Sequence, residues 1–192
     1  MHFTEERITR TLTENYMPYA MSVIVSRALP EIDGFKPSHR KLLYTMYKMN
    51  LLTGNRTKSA NVVGQTMKLN PHGDAAIYET MVRLSRGNSA LLTPFVDSKG
   101  NFGKVYSRDM AYAAARYTEV KLDGICNELF SDIDADAVDF VDNYDGTLKE
   151  PTLLPLPFLQ FQQYFQSQIC LLVQDKLQNS FYRNHLLFSY LI

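Results

Sequence analysis

Apolar residues recur at helical spacing in several stretches, separated by proline, glycine and polar breaks. Residues 5–15 are polar and predict a short helix or arm. Met17 to Arg27 is apolar and helix-compatible, with Tyr19, Ala20, Val23 and Ile24 on it, and Pro30 ends it. Asp33-Gly34 then marks a turn and Lys36-Pro37 an extended step. Ser38 is a candidate N-cap for a helix running to about Lys48, with Leu42, Leu43 and Met46 as its buried stripe.

A polar loop, Asn50 to Lys58, leads to a short helix, Ala60 to Leu69. After Asn70, Pro71, His72 and Gly73, Asp74 would cap a second helix, Ala75 to Arg86. Its core face is Ile77, Met81 and Leu84, and its opposite face carries Ala75, Glu79, Arg83 and Arg86. Two helices joined by a tight glycine-containing turn suggest a helix-turn-helix, whose second helix sits against DNA. Gly87 to Gly103 reads as a loop and hairpin, where Gly100 and Gly103 permit positive φ or a close backbone approach. A helix is expected from about Glu119 to Asp132, burying Val120, Leu122, Ile125 and Leu129. The acids at 132, 134 and 136 form a solvated turn rather than a metal site, because no upstream acid is placed to complete an octahedron. Asp139 to Thr147 is a strand-like step into a loop.

Composition changes this picture little, but charge changes it more. With 192 residues, 45% of them hydrophobic, the chain can bury one full core. Net charge is zero, yet it is segregated. From Phe35 to Gly73 there are seven bases (Lys36, Arg40, Lys41, Lys48, Arg56, Lys58 and Lys68) and no acid. Between Glu128 and Glu150 the balance reverses, with Asp132, Asp134, Asp136, Asp139, Asp142 and Asp145. Lys36, His39, Arg40 and Lys41 crowd the start of one helix, where backbone N–H groups already favour anions. The cluster reads as a phosphate-contacting surface, with a merely solvated basic face as the alternative. Cys126 and Cys170 form no disulfide framework and point to a reducing cytoplasm. No apolar run is long enough to predict a membrane span, and the first residues show no signal region.

The candidate chemistry lies in residues 111–120, where a run of small residues ends in Arg116 and Tyr117. Small side chains let a large body approach the backbone closely. A phenol, with an ordinary pKa of ~10, becomes a useful nucleophile when a neighbouring charge favours its anion, and Arg116 is a cation that does not lose its proton. The plainer alternative is a tyrosine packed at an element boundary.

Six segments in order then carry a resemblance: Tyr19 to Pro30, Asp33 to Lys41, Pro71 to Asp74, Val96 to Gly103, Ala115 to Glu119 and Asp139 to Thr147. From about Leu12 to Pro155 the chain resembles the start of the breakage-reunion domain of bacterial type IIA topoisomerase A subunits (DNA gyrase or topoisomerase IV). The resemblance implies a mainly α fold with small β, of winged-helix (helix-turn-helix) type, truncated here. It implies an N-terminal arm over 1–29, the winged-helix domain over 30–155 and an aberrant tail over 156–192.

Tyr117 is thereby expected to attack a DNA phosphodiester, with Arg116 stabilising the transferring phosphoryl group. Arg27, Lys36, His39, Arg40, Lys41 and His72 are expected on phosphates. Asp74 to Arg86, including Arg83, is expected beside the duplex, with Ala75 and Glu79 where quinolones contact the family. Mg²⁺ and ATP are expected on a separate B subunit. Two A subunits are expected to pair as a homodimer in an A2B2 assembly on double-stranded DNA, in the cytoplasm on the nucleoid, with no membrane contact.

Three departures matter. Many relatives have histidine at the place of Asn70 and arginine at that of Lys41; the latter exchange replaces a fork of donors with a point charge. Residues 156–192 match nothing of the family, and their seven glutamines among apolar residues suggest an aggregation-prone extension. The chain alone is therefore expected to cleave and reseal no DNA. A non-catalytic DNA-binding module and a gene remnant stay open as alternatives.

Overall fold

The computed structural model describes residues 7–86, 91, 93–104 and 111–155. The expected tail over 156–192, the first six residues and Cys170 lie outside the described residues.

Helical stretches run end to end at the start: α1 (Ile8–Thr11), a π-helical turn (Leu12–Tyr16), α2 (Met17–Val23) and a second π turn (Ile24–Ala28). The polar stretch and the apolar stretch after it are both helical, in one continuous run. Pro18 stands just after the first π turn passes into α2, and its missing N–H removes one bond from the ladder at that junction. No residue of this helical run is buried, and Ile8, Tyr19 and Val25 stand more than half exposed.

The body begins with α3 (Pro37–Lys48). Ser38 is not its cap: Lys36 holds the extended cap position, with ψ 155, and Pro37 takes the first helical residue, where its fixed φ suits the turn. The expected stripe is correct, since Leu42, Leu43 and Met46 are all fully buried. Strand β1 (Thr57–Lys58) leads directly into α4 (Ser59–Thr66), then α5 (Asp74–Ser85) follows. Gly73 occupies the cap position of α5, so Asp74 falls one residue inside it. There its Oδ1 accepts from the Ala75 N–H at 2.9 Å, and its charge complements the positive end of the helix dipole. Ile77, Met81 and Leu84 are buried as the spacing requires.

The helix expected from Glu119 to Asp132 is not formed. Residues Glu119–Leu122 are strand β3, paired antiparallel with β1 and with β2 (Val96–Lys99), in the order β1-β3-β2. Val120 and Leu122 are buried while Glu119 and Lys121 are half-exposed, which is the period of a one-sided strand. Only Cys126–Phe130 remains helical, as α6. Phe95, Val96, Val120, Leu122, Leu129 and Ile133 join the three helices in one core. A fully buried leucine in such a core contributes about 1.5–3 kcal/mol. Cys126 lies inside it and gives its S–H to the Phe95 carbonyl at 3.2 Å; burial pushes its thiol up to about 12. Gly100 and Gly103 have φ of +112° and +73°, as expected of that turn.

A separate two-stranded sheet, β4 (Phe140–Asp142) with β5 (Lys149–Pro151), packs on α3. The two ends of the body are joined at Asp33. Its carboxylate accepts from Arg40 Nε (2.8 Å) and Nη2 (3.0 Å), and from the backbone N–H groups of Phe35 (2.9 Å) and Leu154 (3.1 Å).

Candidate functional site

Arg116 and Tyr117 sit in a turn that immediately precedes β3. Tyr117 is 66% exposed, and its N–H bonds to the Ala114 carbonyl at 2.9 Å. The Arg116 guanidinium lies over the Tyr117 ring, 4.8 Å from its centroid. The cation thus shadows the ring face, and the hydroxyl end stands free toward solvent.

What holds this exposed turn is buried beneath it. Thr118 is fully buried; its hydroxyl donates to Ser59 Oγ at 2.7 Å and lies 3.0 Å from the Tyr78 hydroxyl. Tyr78 in turn donates to the Ala113 carbonyl at 2.7 Å. The first N–H groups of α4, on Ser59 and Ala60, donate to the carbonyls of Thr118 (3.0 Å) and Ala115 (3.1 Å). The helix start therefore satisfies its orphan donors on the tyrosine turn, and the turn gains a rigid base. Gly100 packs against Thr118, where an added Cβ would come within 3.4–3.5 Å of its atoms. Sequence reasoning passed over Thr118, because its partners come from α4 and α5.

The phosphate-binding candidates separate into three groups. Arg27, Lys41 and His72 line one cleft of about 620 Å³ between the end of the N-terminal helix, α3 and the start of α5, which Ser38, Asn70 and Tyr144 also border. Lys36 and Arg83 lie outside it. Arg83 pairs with Glu79 at 2.9 Å on the exposed face of α5, beside exposed Ala75, as an exposed pair worth little. Neither Arg116 nor Tyr117 lines the cleft.

Arg40 is a correction. It is buried, its guanidinium forks onto Asp33 through Nε and Nη2, and Nη2 also reaches the Phe35 carbonyl at 3.3 Å, so the fork that would grip a phosphate is already committed. The lack of acid along the segment does not leave all of its bases unneutralised. Acids from outside the segment meet four of the seven: Asp33 meets Arg40, Glu150 meets Lys41 at 3.1 Å, Asp97 meets Arg56 and Glu119 meets Lys58 at 2.9 Å. Lys58 holds the Glu119 carboxyl below its usual range, by hydrogen bond and charge. Lys36, Lys48 and Lys68 have no ion pair among the described residues.

His39 has its Nδ1 buried without a hydrogen-bond partner. Burial first, then the charges of Lys36 and Arg83, lower its pKa to about 4 against the opposing pull of Asp33. At neutral pH it is an uncharged imidazole, able to offer a hydrogen bond but no charge. An unfolded histidine titrates near 6.5, so acid favours the unfolded chain between pH 6.5 and 4. Stability is therefore expected to fall by about 3 kcal/mol across that window through His39 alone. Urea midpoints at pH 7 and pH 4 measure it; His39→Gln should remove most of the difference, and an equal fall in the variant would contradict the assignment.

Among the described residues no three His, Cys, Asp or Glu side chains gather as a metal site, and no helix is long and apolar enough to cross a membrane. The exposed Asp132, Asp134 and Asp136 lie in a turn, and Asp134 accepts from the Tyr47 hydroxyl at 2.7 Å.

A family profile for the A subunit of DNA gyrase/topoisomerase IV matches residues 27–159. The DNA gyrase A subunit of Staphylococcus epidermidis strain ATCC 12228 is 48% identical over 157 residues, covering 80% of this chain. That of Staphylococcus aureus strain NCTC 8325 is 47% identical over the same length. The chain spans 17% of the length of these relatives.

Proposed function

The chain belongs to the A-subunit family of DNA gyrase/topoisomerase IV, and from that membership we propose that residues 30–155 form a winged-helix DNA-cleavage domain with Tyr117 as its nucleophile. The observation that carries the proposal is the exposed Tyr117 hydroxyl on a turn anchored by Thr118, with Arg116 against its ring. Helices α3, α4 and α5 beside the sheet β1-β3-β2 support the winged-helix reading, with α5 as the helix laid along the duplex.

In the proposed reaction Tyr117 Oη attacks a backbone phosphorus and the P–O3′ bond breaks. The phenol's proton is lost and the departing 3′ oxygen gains one, leaving a 5′-phosphotyrosyl link. The reverse attack by that 3′ hydroxyl reseals the strand, and the phenolate is a good leaving group, so no outside energy source is needed for resealing. Arg116 contributes fixed positive charge where negative charge collects. The exposure of Tyr117 lets a duplex reach it, and the rigid base under the turn lowers the entropy of positioning. Arg27, Lys41 and His72 hold the neighbouring backbone in the cleft, with Lys36 outside it. Lys41 is partly committed to Glu150 and donates to the Leu69 carbonyl at 3.0 Å, so Arg27 and His72 are its freer members.

Mg²⁺ and ATP belong, in this proposal, to a separate B subunit. The paired breaks belong to a homodimer of A subunits. The metal would supply charge stabilisation at the scissile phosphate.

Because the cleft excludes Tyr117, DNA binding without cleavage is the second reading. The two are separated by placing these residues in a full-length A subunit, supplying DNA together with a B subunit, then denaturing. Protein-linked DNA is the expected result; intact DNA with normal binding would favour the non-catalytic module.

Binding itself should be governed by counterion release. Each phosphate contact contributes about 0.9 to the slope of log affinity against log salt. Arg27→Ala combined with Lys36→Ala is expected to flatten that slope by nearly two units. Arg40→Ala in protein that remains folded should leave it unchanged, since its guanidinium is spent on Asp33. A slope that flattens with Arg40 and not with Arg27 would invert this map.

A further inference from the structure

None of the three lysines of the basic segment that lack an ion pair among the described residues lines the cleft, and two of them gather elsewhere. Lys48 ends α3 and Lys68 follows α4, and a third, Lys149, opens β5. All three are exposed, and none makes an ion pair among the described residues. They rim a second cavity of about 480 Å³ on the same side of α3 as the cleft, one to two turns further along the helix. Its floor is Tyr44 and Leu69, both buried, and Leu148 forms one wall. Lys48 Nζ stands 5.4 Å from the Tyr44 ring centroid. Half-buried Gln65 adds a side-chain amide with no hydrogen bond to the described residues.

The walls are tied to one another. Lys41 Nζ donates to the Leu69 carbonyl (3.0 Å) and pairs with Glu150 (3.1 Å), joining α3, the end of α4 and β5. Buried Asn143 donates to the Lys68 carbonyl at 3.1 Å, and its Oδ1 accepts from the N–H groups of Thr147 (3.1 Å) and Leu148 (3.3 Å). A cavity already held in shape loses little freedom when filled. Its size, apolar floor and few convergent polar groups are those of a small-molecule site. No carboxylate lines it, so the three ammonium groups repel one another until an anion arrives.

We propose that this cavity binds a small aromatic anion, its ring against Tyr44, Leu69 and Leu148 and its acidic group among Lys48, Lys68 and Lys149. A DNA backbone would satisfy the lysines yet leave the apolar floor empty, whereas a neutral ring would fill the floor and leave the lysines unmet. The ligand that meets both has a flat apolar body and one carboxylate or sulfonate.

The test is a titration of the full chain with 2-naphthoate, followed by amide chemical shifts. Saturable shifts centred on Thr45, Leu69 and Leu148 are expected. The uncharged 2-naphthylmethanol should bind about tenfold more weakly, because exposed charge contacts are individually small and three act together. The combined Lys48→Ala, Lys68→Ala and Lys149→Ala variant should reduce naphthoate affinity by a similar factor, at solvent-exposed positions where the fold is not at risk. Leu148→Asp, which sets a carboxylate in the exposed wall, should abolish binding. Absence of saturable shifts, shifts centred on Arg27 and His72, or equal affinity for the acid and the alcohol would overturn the proposal.

Discussion

Asp33→Ala is expected to destabilise the folded chain by about 3–5 kcal/mol, the cost of leaving one member of a buried ion pair alone. Both side chains are nearly inaccessible, at 1% for Asp33 and 7% for Arg40. The substitution strands a guanidinium that cannot shed its proton. It also removes the acceptor for the Phe35 and Leu154 N–H groups, of which the second ties residue 154 back to the start of the body. A loss of that size is a large fraction of the 5–15 kcal/mol that typically separates folded from unfolded. Arg40→Ala should cost less, because Asp33 then keeps two backbone donors. Joint replacement by apolar residues of similar volume should recover much of the loss. Urea unfolding of the three variants measures these differences; a cost near that of a surface substitution for Asp33→Ala would contradict the structural role given to Arg40.

Tyr117→Phe should abolish covalent DNA adducts in a full-length A subunit while leaving binding within about threefold, since a single hydroxyl is removed. Nothing else should change with it. The hydroxyl is exposed and the ring keeps its contact with the Arg116 guanidinium, so stability should move by no more than about 0.5 kcal/mol. Arg116→Ala removes charge rather than the nucleophile, and a cost of about 10²–10³ in cleavage rate is expected, with adducts still detectable. Cleavage that survives Tyr117→Phe undiminished would require another nucleophile.

How much of this was legible depended on how local the cause was. Leu42, Leu43 and Met46, like Ile77, Met81 and Leu84, bury one helix face, and the spacing alone shows it. Val120 and Leu122 were misread because Leu122 continues at helical spacing into Ile125 and Leu129, although the two-residue interval between Val120 and Leu122 is itself that of a strand. What decided for a strand were β2 and β1, more than twenty and sixty residues earlier. The charge pattern misled for the same reason. Phe35 to Gly73 has no acid along the chain, yet Asp33, Glu150, Asp97 and Glu119 reach its bases through space. Segregation in sequence was not segregation on the surface. The tyrosine was legible through its motif, whereas the buried Thr118 beneath it was not, since its hydroxyl is read only once α4 and α5 are in place. His39 was placed correctly near other bases, and its lack of charge followed from a burial that the sequence does not display.

The most direct test locates the covalent bond. A full-length A subunit carrying these residues would be incubated with its B subunit, Mg²⁺ and duplex DNA, then denatured, digested with nuclease and protease, and its peptides weighed. The account predicts a nucleotide remnant joined to the peptide that contains Tyr117 and to no other. A remnant on a different residue, or none while the DNA is nonetheless cut, would contradict it.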